Sequence, residues 1–122
     1  MRLRDADTGR IIAANVEMAD TSAKRAVGLL GRRGLEQNSA LWLEPCNGIH
    51  TFGMRFAIDV LYLDKAGIAL RVLPNVRPNR MRLPLRGVRV TVEFPAGTLA
   101  ALGVKAGGRY LLEKESGEKE SF

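Results

Sequence analysis

The segment F-A-I-D-V-L-Y-L-D, from Phe56 to Asp64, constrains the fold more than any other. In an extended chain Ile58, Val60 and Tyr62 fall on one face, and Asp59, Leu61 and Leu63 on the other. A strand with large apolar residues on both faces needs cover on both, so it is expected in the interior of a sheet. Asp59 shares its face with Leu61 and Leu63 and points into an apolar layer. An unpaired carboxylate is costly there, so Asp59 is expected to have partners. Arg25, Arg55 and the backbone N–H groups near Thr51 to Met54 are the candidates. The first expectation for Asp59 is a structural pin on the loop, the second a contact to a ligand.

The rest of the chain breaks into short segments around this strand. Arg2 to Ala6 and Arg10 to Met18 read as a strand pair, turned at Asp7-Thr8-Gly9. Asp20 or Thr21 can cap a helix that runs to about Leu30 and stops at Gly31. Ala23, Val27 and Leu30 would form its apolar stripe, and Gly28 inside it suggests close approach of another element. Ser39 to Glu44 is a short strand ended by Pro45, and Cys46 to Thr51 a loop or irregular strand. Asp64 to Gly67 turns the central strand into Ile68 to Leu73. Pro74, Pro78 and Pro84 make Pro74 to Gly87 a long extended loop. Val88 to Phe94 is a strand with Val88, Val90 and Val92 on one face and Arg89, Thr91 and Glu93 on the other. Leu99 to Leu102 is a short helix capped by Thr98, and Arg109 to Glu113 is the last strand. About seven strands with two short helices imply an α+β, mainly β fold, an antiparallel sandwich or a partly open barrel.

With 122 residues the chain suits one domain, expected over residues 1–113, with a charged and disordered tail over 114–122. One cysteine rules out an internal disulfide and fits a reducing compartment. The charged N-terminus lacks a signal-peptide core, and no apolar run is long enough to span a membrane, so a cytoplasmic location is expected. Formal net charge is +6. Between Lys65 and Val92 there is no acidic residue, whereas Lys65, Arg71, Arg77, Arg80, Arg82, Arg86 and Arg89 are all basic. This segment could hold phosphates of a nucleic acid or another polyanion, chiefly through Arg77, Arg80 and Arg82. It lacks interleaved aromatics to stack bases, and a solvated basic face is the plainer reading.

The only Trp, Cys and His of the chain (Trp42, Cys46 and His50) lie within nine residues of one another. Cys46, His50 and Asp59 are the residue types of a thiol nucleophile, its base and the base's orienting group. Cys46 and His50 could also ligate a soft or borderline metal, with Asp59, Glu44, Met54 or a second chain needed to complete the set. Phe52 and Met54 flank Gly53 and could line a pocket, whereas Trp42 and Phe56 read as core. Chemistry at Cys46 and His50 is the less favoured reading in both forms, so no catalytic residue, metal or cofactor is expected.

Several stretches resemble the DUF192 family, also called UPF0127, of small bacterial and archaeal proteins without a settled activity. They are T-S-A-K-R-A-V-G-L-L-G-R (Thr21 to Arg32), L-W-L-E-P-C-N-G-I-H-T-F-G-M-R-F-A-I-D (Leu41 to Asp59), L-Y-L-D-K-A-G (Leu61 to Gly67), V-E-F-P-A-G (Val92 to Gly97) and G-V-K-A-G-G (Gly103 to Gly108). The resemblance runs from Ile11 to Leu112. It implies a compact β-rich fold with one helix near the start, and a shared feature around Arg25, Gly28, Met54, Asp59 and Glu93. Gly53 stands where the family commonly has a bulky aromatic. Together these readings favour a non-catalytic binding module. Its small-ligand site is expected at Arg25, Cys46, Asn47, His50, Thr51, Met54 and Asp59. Polyanion binding through Arg71 to Arg89 and a cysteine-dependent enzyme are the alternatives.

Overall fold

The computed structural model describes residues 1–82 and 84–114. The expected disordered tail therefore lies, beyond Lys114, outside the described residues. The strands are β1 (Arg2–Asp5), β2 (Ile11–Ala13), β3 (Asn15–Ala19), β4 (Ser39–Leu43), β5 (Ile49–His50), β6 (Ile58–Leu63), β7 (Ala69–Val76), β8 (Met81–Arg82), β9 (Val90–Pro95) and β10 (Tyr110–Glu113). Helices α1 (Ser22–Val27) and α2 (Thr98–Ala101) follow β3 and β9. The strands form a three-stranded sheet β10-β1-β2, a five-stranded sheet β3-β4-β9-β6-β7 and the small pair β5-β8. The fold is α+β and mainly β, with open sheets that do not close into a barrel.

Every residue of β6 and of β9 is buried. Register explains what covers each face. Asp59 pairs with Phe94 and Leu61 with Val92, so these side chains share one face. That face, with Trp42 and Leu63, packs on Leu3, Ile12 and Tyr110 of the smaller sheet and on Leu99 of α2. Val60 pairs with Glu93, and Glu93 also pairs with Leu41 of β4. This opposite face carries Leu43, Ile58 and Tyr62 into a second core with Leu29 and Met54.

Several local expectations need correction. The strand expected over Arg10 to Met18 is two strands in different sheets, β2 and β3. The N–H groups of Ala14 and Asn15 both donate to the Asn38 carbonyl, at 2.9 and 3.1 Å, which bends the chain between them. β3 then pairs parallel with β4, a departure from the antiparallel expectation that α1 permits by serving as the crossover. Helix α1 ends at Gly28, not Gly31. Thr21 caps its start by accepting from the Lys24 N–H at 3.1 Å, while Gly28 takes a φ of +48° that favours glycine. Positive φ, not close approach, therefore explains Gly28. Leu29 anchors the segment, whereas Val27 and Leu30 of the expected stripe are exposed.

The stretch from Pro74 to Gly87 is not one loop. β7 continues through Pro74 to Val76 and β8 lies within the segment. Pro74 is tolerated because β7 is an edge strand and its pairing with β6 shifts register there. β8 pairs with β5, so the short run Ile49–His50 is a strand and is held beside Met81 and Arg82.

Candidate ligand site

The two-core arrangement divides the residues singled out in the sequence. Asp59 is 1% exposed and both its oxygens are used. Oδ1 accepts from the Asn75 N–H at 2.9 Å and Oδ2 from the Leu99 N–H at 3.0 Å. Its partners are thus β7 and α2, not Arg25, Arg55 or the Thr51–Met54 backbone. Asn75 has a φ of +49° and sits in the register shift of β7, so Asp59 pins an irregular edge to the helix. The Cys46–His50–Asp59 arrangement is accordingly split: Asp59 faces the first core, on the other side of the sheet from the second.

Thr51 is also consumed by structure. Fully buried, its hydroxyl donates to the Arg77 carbonyl at 2.6 Å and accepts from the Arg80 N–H at 2.9 Å. Asn47 is exposed, and its backbone carbonyl accepts from the Leu85 N–H at 3.1 Å. Neither residue lines a cavity with Cys46.

Four expected residues do come together. Arg25, Cys46, His50 and Met54 line one cavity of about 90 Å³, with Leu29, Leu43 and Ile49 as apolar wall. Each arrives from a different direction. Arg25 comes from α1, where Nη1 donates to the Glu44 carbonyl at 3.2 Å and Nη2 to Ser22 Oγ at 3.4 Å. Cys46 follows β4, and its thiol donates to the Gly48 carbonyl at 3.0 Å. Gly48 is needed here, since a Cβ would stand 3.2 Å from the Arg82 carbonyl and 3.3 Å from Pro84 N. His50 is exposed on β5, its ring stacked on Phe52 with centroids 5.7 Å apart. Among the described residues no hydrogen bond joins Cys46 to His50, and no three His, Cys, Asp or Glu side chains gather as a metal site would require.

The fourth polar side chain of this cavity is Glu93, which the family resemblance names but the expected ligand-site residues did not include. Only 5% of it is exposed. Among the described residues its carboxylate has neither a hydrogen bond nor an ion pair. Burial pushes its pKa up from 4.5 to about 7, with the Arg32 guanidinium opposing. Arg32 is itself paired with Glu17. The neighbouring polar residue on this face, Thr91, is satisfied by donating to the Cys46 carbonyl at 3.0 Å. Tyr62, also on this face, buries a hydroxyl with no partner; burial chiefly, then the Cys46 charge, raises its pKa. Wider surface grooves of about 450 and 510 Å³ lie along β3 and α1, but they are open and hold no buried titratable side chain.

Arg77 and Arg80 are exposed and Arg82 half-buried. Among the described residues none of them pairs with a carboxylate. The β5–β8 pairing places Arg82 opposite Ile49 and Met81 opposite His50, so the basic segment adjoins the cavity. No helix among the described residues is long and apolar enough to cross a membrane.

Fold and site together define a β-rich α+β protein with a small carboxylate-floored cavity beside a basic segment. The chain belongs to the DUF192 family, described as an uncharacterised ACR, whose model matches residues 3–112. A UPF0127 protein of Pyrococcus furiosus is 33% identical over 108 residues, covering 83% of this chain and 89% of the relative. A UPF0127 protein of Pyrococcus abyssi is 30% identical over 99 residues, covering 77% and 82%. Among solved structures, a protein of unknown function from Novosphingobium aromaticivorans superposes with a TM-score of 0.77 at 20% identity, covering 91% of this chain and 82% of that one. One from Sinorhizobium meliloti, described as a candidate transcription regulator, gives 0.74 at 24%, covering 90% and 89%. At these identities the two structures show a shared fold.

Proposed function

We propose that the protein is a non-catalytic binding module whose small ligand enters the cavity above Glu93, between Arg25, Cys46, His50 and Met54. One observation carries this reading: a carboxylate in a cavity wall, almost fully buried, that no group among the described residues pairs. Such a group is costly while ionised; protonation relieves the cost, as its raised pKa shows, and so would a donor that enters the cavity. Asn47, Thr51 and Asp59 have no part in the site. Cysteine catalysis has less support, because the thiol is directed to Gly48 and Asp59 lies across the sheet from it. A single thiol suits the reducing interior of the cytoplasm.

The test is a fragment screen on protein carrying ¹³C-methyl methionine. Ligands of this site shift the Met54 methyl and the His50 imidazole together and raise Tm. A screen in which no compound moves either signal refutes the proposal.

A second reading, polyanion binding, draws support from the exposed guanidinium groups of Arg77 and Arg80, which meet no carboxylate among the described residues. It requires affinity for single-stranded DNA that falls steeply with salt and drops in the Arg77→Ala, Arg80→Ala, Arg82→Ala triple variant. Affinity unaffected by either change removes it.

A further inference from the structure

We infer that the group received at the floor of this cavity is a primary ammonium on a short alkyl stem. The inference rests on the binding-module reading and gives it a ligand class. An ionised carboxylate is purely an acceptor, and Glu93 meets no donor from the described protein. Its strongest complement is a cation that also donates hydrogen bonds. Beside Arg25, Cys46 and His50, the wall carries Leu29, Leu43, Ile49 and Met54, which suit methylene groups.

Size narrows the choice. The cavity is small, about 90 Å³, so only the head and first carbons of a ligand lie inside it. The compact ammonium suits so small a space better than the broader planar guanidinium. The mouth continues the apolar wall outward. Phe52 is 47% exposed and stacked on His50, while Val27 and Leu30 of the cavity rim are 58% and 38% exposed. Val27 and Leu30 on such a rim can cover the outer part of a stem.

The competing charge arrangement is an anion held by Arg25. That guanidinium is already engaged with the Glu44 carbonyl and Ser22 Oγ, and an anion in the cavity would face Glu93. Arg32 is occupied by Glu17. The same ammonium chemistry is supplied by a free alkylamine or by the end of a lysine side chain.

The experiment titrates the full chain with n-butylammonium, butyrate and 1-butanol, reading the Met54 methyl. Met1, Met18 and Met81 serve as internal controls, since none of them lines the cavity. Butylammonium stays charged at both pH 6 and pH 8. Because Glu93 ionises near 7, binding is expected to be about tenfold tighter at pH 8 than at pH 6. Glu93→Gln is expected to abolish it, and His50→Gln is expected to keep the pH ratio, which separates Glu93 from the imidazole on the same wall. Butanol or butyrate binding as tightly, or butylammonium binding that strengthens at pH 6, overturns the inference and leaves the binding module standing. Failure of these probes and of the fragment screen to move Met54 overturns both. N-acetyl-lysine methylamide separates the sources: tighter binding than butylammonium assigns a lysine side chain, weaker binding a free alkylamine.

Discussion

Glu93→Gln is expected to stabilise the unliganded protein, and by an amount that depends on pH. The folded carboxyl titrates near 7 and the unfolded one near 4.5. Between those values the unfolded chain has released a proton that the folded chain retains. Stability therefore falls as pH rises through this window and levels off above it. At 1.36 kcal/mol per pKa unit the full effect is about 3 kcal/mol. With Glu93 only 5% exposed, solvent screening removes little of it. A glutamine keeps the shape and never ionises, so every other titrating group cancels in the difference between the two proteins. Relative to wild type, the variant should gain about 3 kcal/mol on going from pH 4 to pH 8, or roughly 10 °C in Tm for a chain of this size. Urea unfolding of both proteins at half-unit pH steps measures it. Parallel stability curves would show that Glu93 is solvated or paired, and would refute both its burial and the argument built on it.

Three further substitutions probe the scaffold around the cavity. Asp59→Ala leaves the Asn75 and Leu99 N–H groups without their acceptors and should cost about 3 kcal/mol in urea unfolding; a loss below about 1 kcal/mol would deny the pin. Thr51→Val removes two hydrogen bonds that fasten the Arg77–Arg80 turn. It should cost about 2 kcal/mol and speed amide exchange at Arg80, and unchanged exchange there would count against the assignment. Gly67→Ala places a Cβ 2.5 Å from the Tyr110 carbonyl at a φ of +83°; a Tm drop of several degrees is expected, and an unchanged Tm would contradict the contact.

Much of the fold was legible in the sequence because its signals are local. Ile58 to Leu63 reads as an interior strand from its own residues, and Thr21 and Gly9 carry their cap and turn chemistry with them. Pairing was less legible. Nothing in Ala14 or Asn15 announces that one distant carbonyl, that of Asn38, bends the chain between two sheets. Nor do Ile49 and His50 announce that Met81 and Arg82 complete a ladder with them. The site was half legible for the same reason. Rare residue types pointed to Cys46, His50 and Met54, which share a segment. Glu93 is far away in sequence and alternates with valines, so it reads as the outward face of a half-buried strand. Only when β9 is set between β4 and β6, with Leu29 and Met54 laid over that face, does the same alternation bury it.

Asp59 and Glu93 illustrate how residue type and location fail to separate function from structure, and what does separate them. Both are carboxylates on adjacent strands, both are almost fully buried, and both belong to the pattern that marks the family resemblance. Asp59 has each oxygen matched to a backbone N–H, and its chemistry is spent on holding β7 to α2. Thr51 and Thr91 are matched in the same way. Glu93 alone among the buried acids is left open to a cavity, and burial without a partner shifts its titration to about 7. A carboxylate matched inside the fold has nothing left to offer a ligand. An unmatched one costs stability while it is ionised, and that cost is the reason Glu93, not Asp59, is the group proposed to meet a ligand.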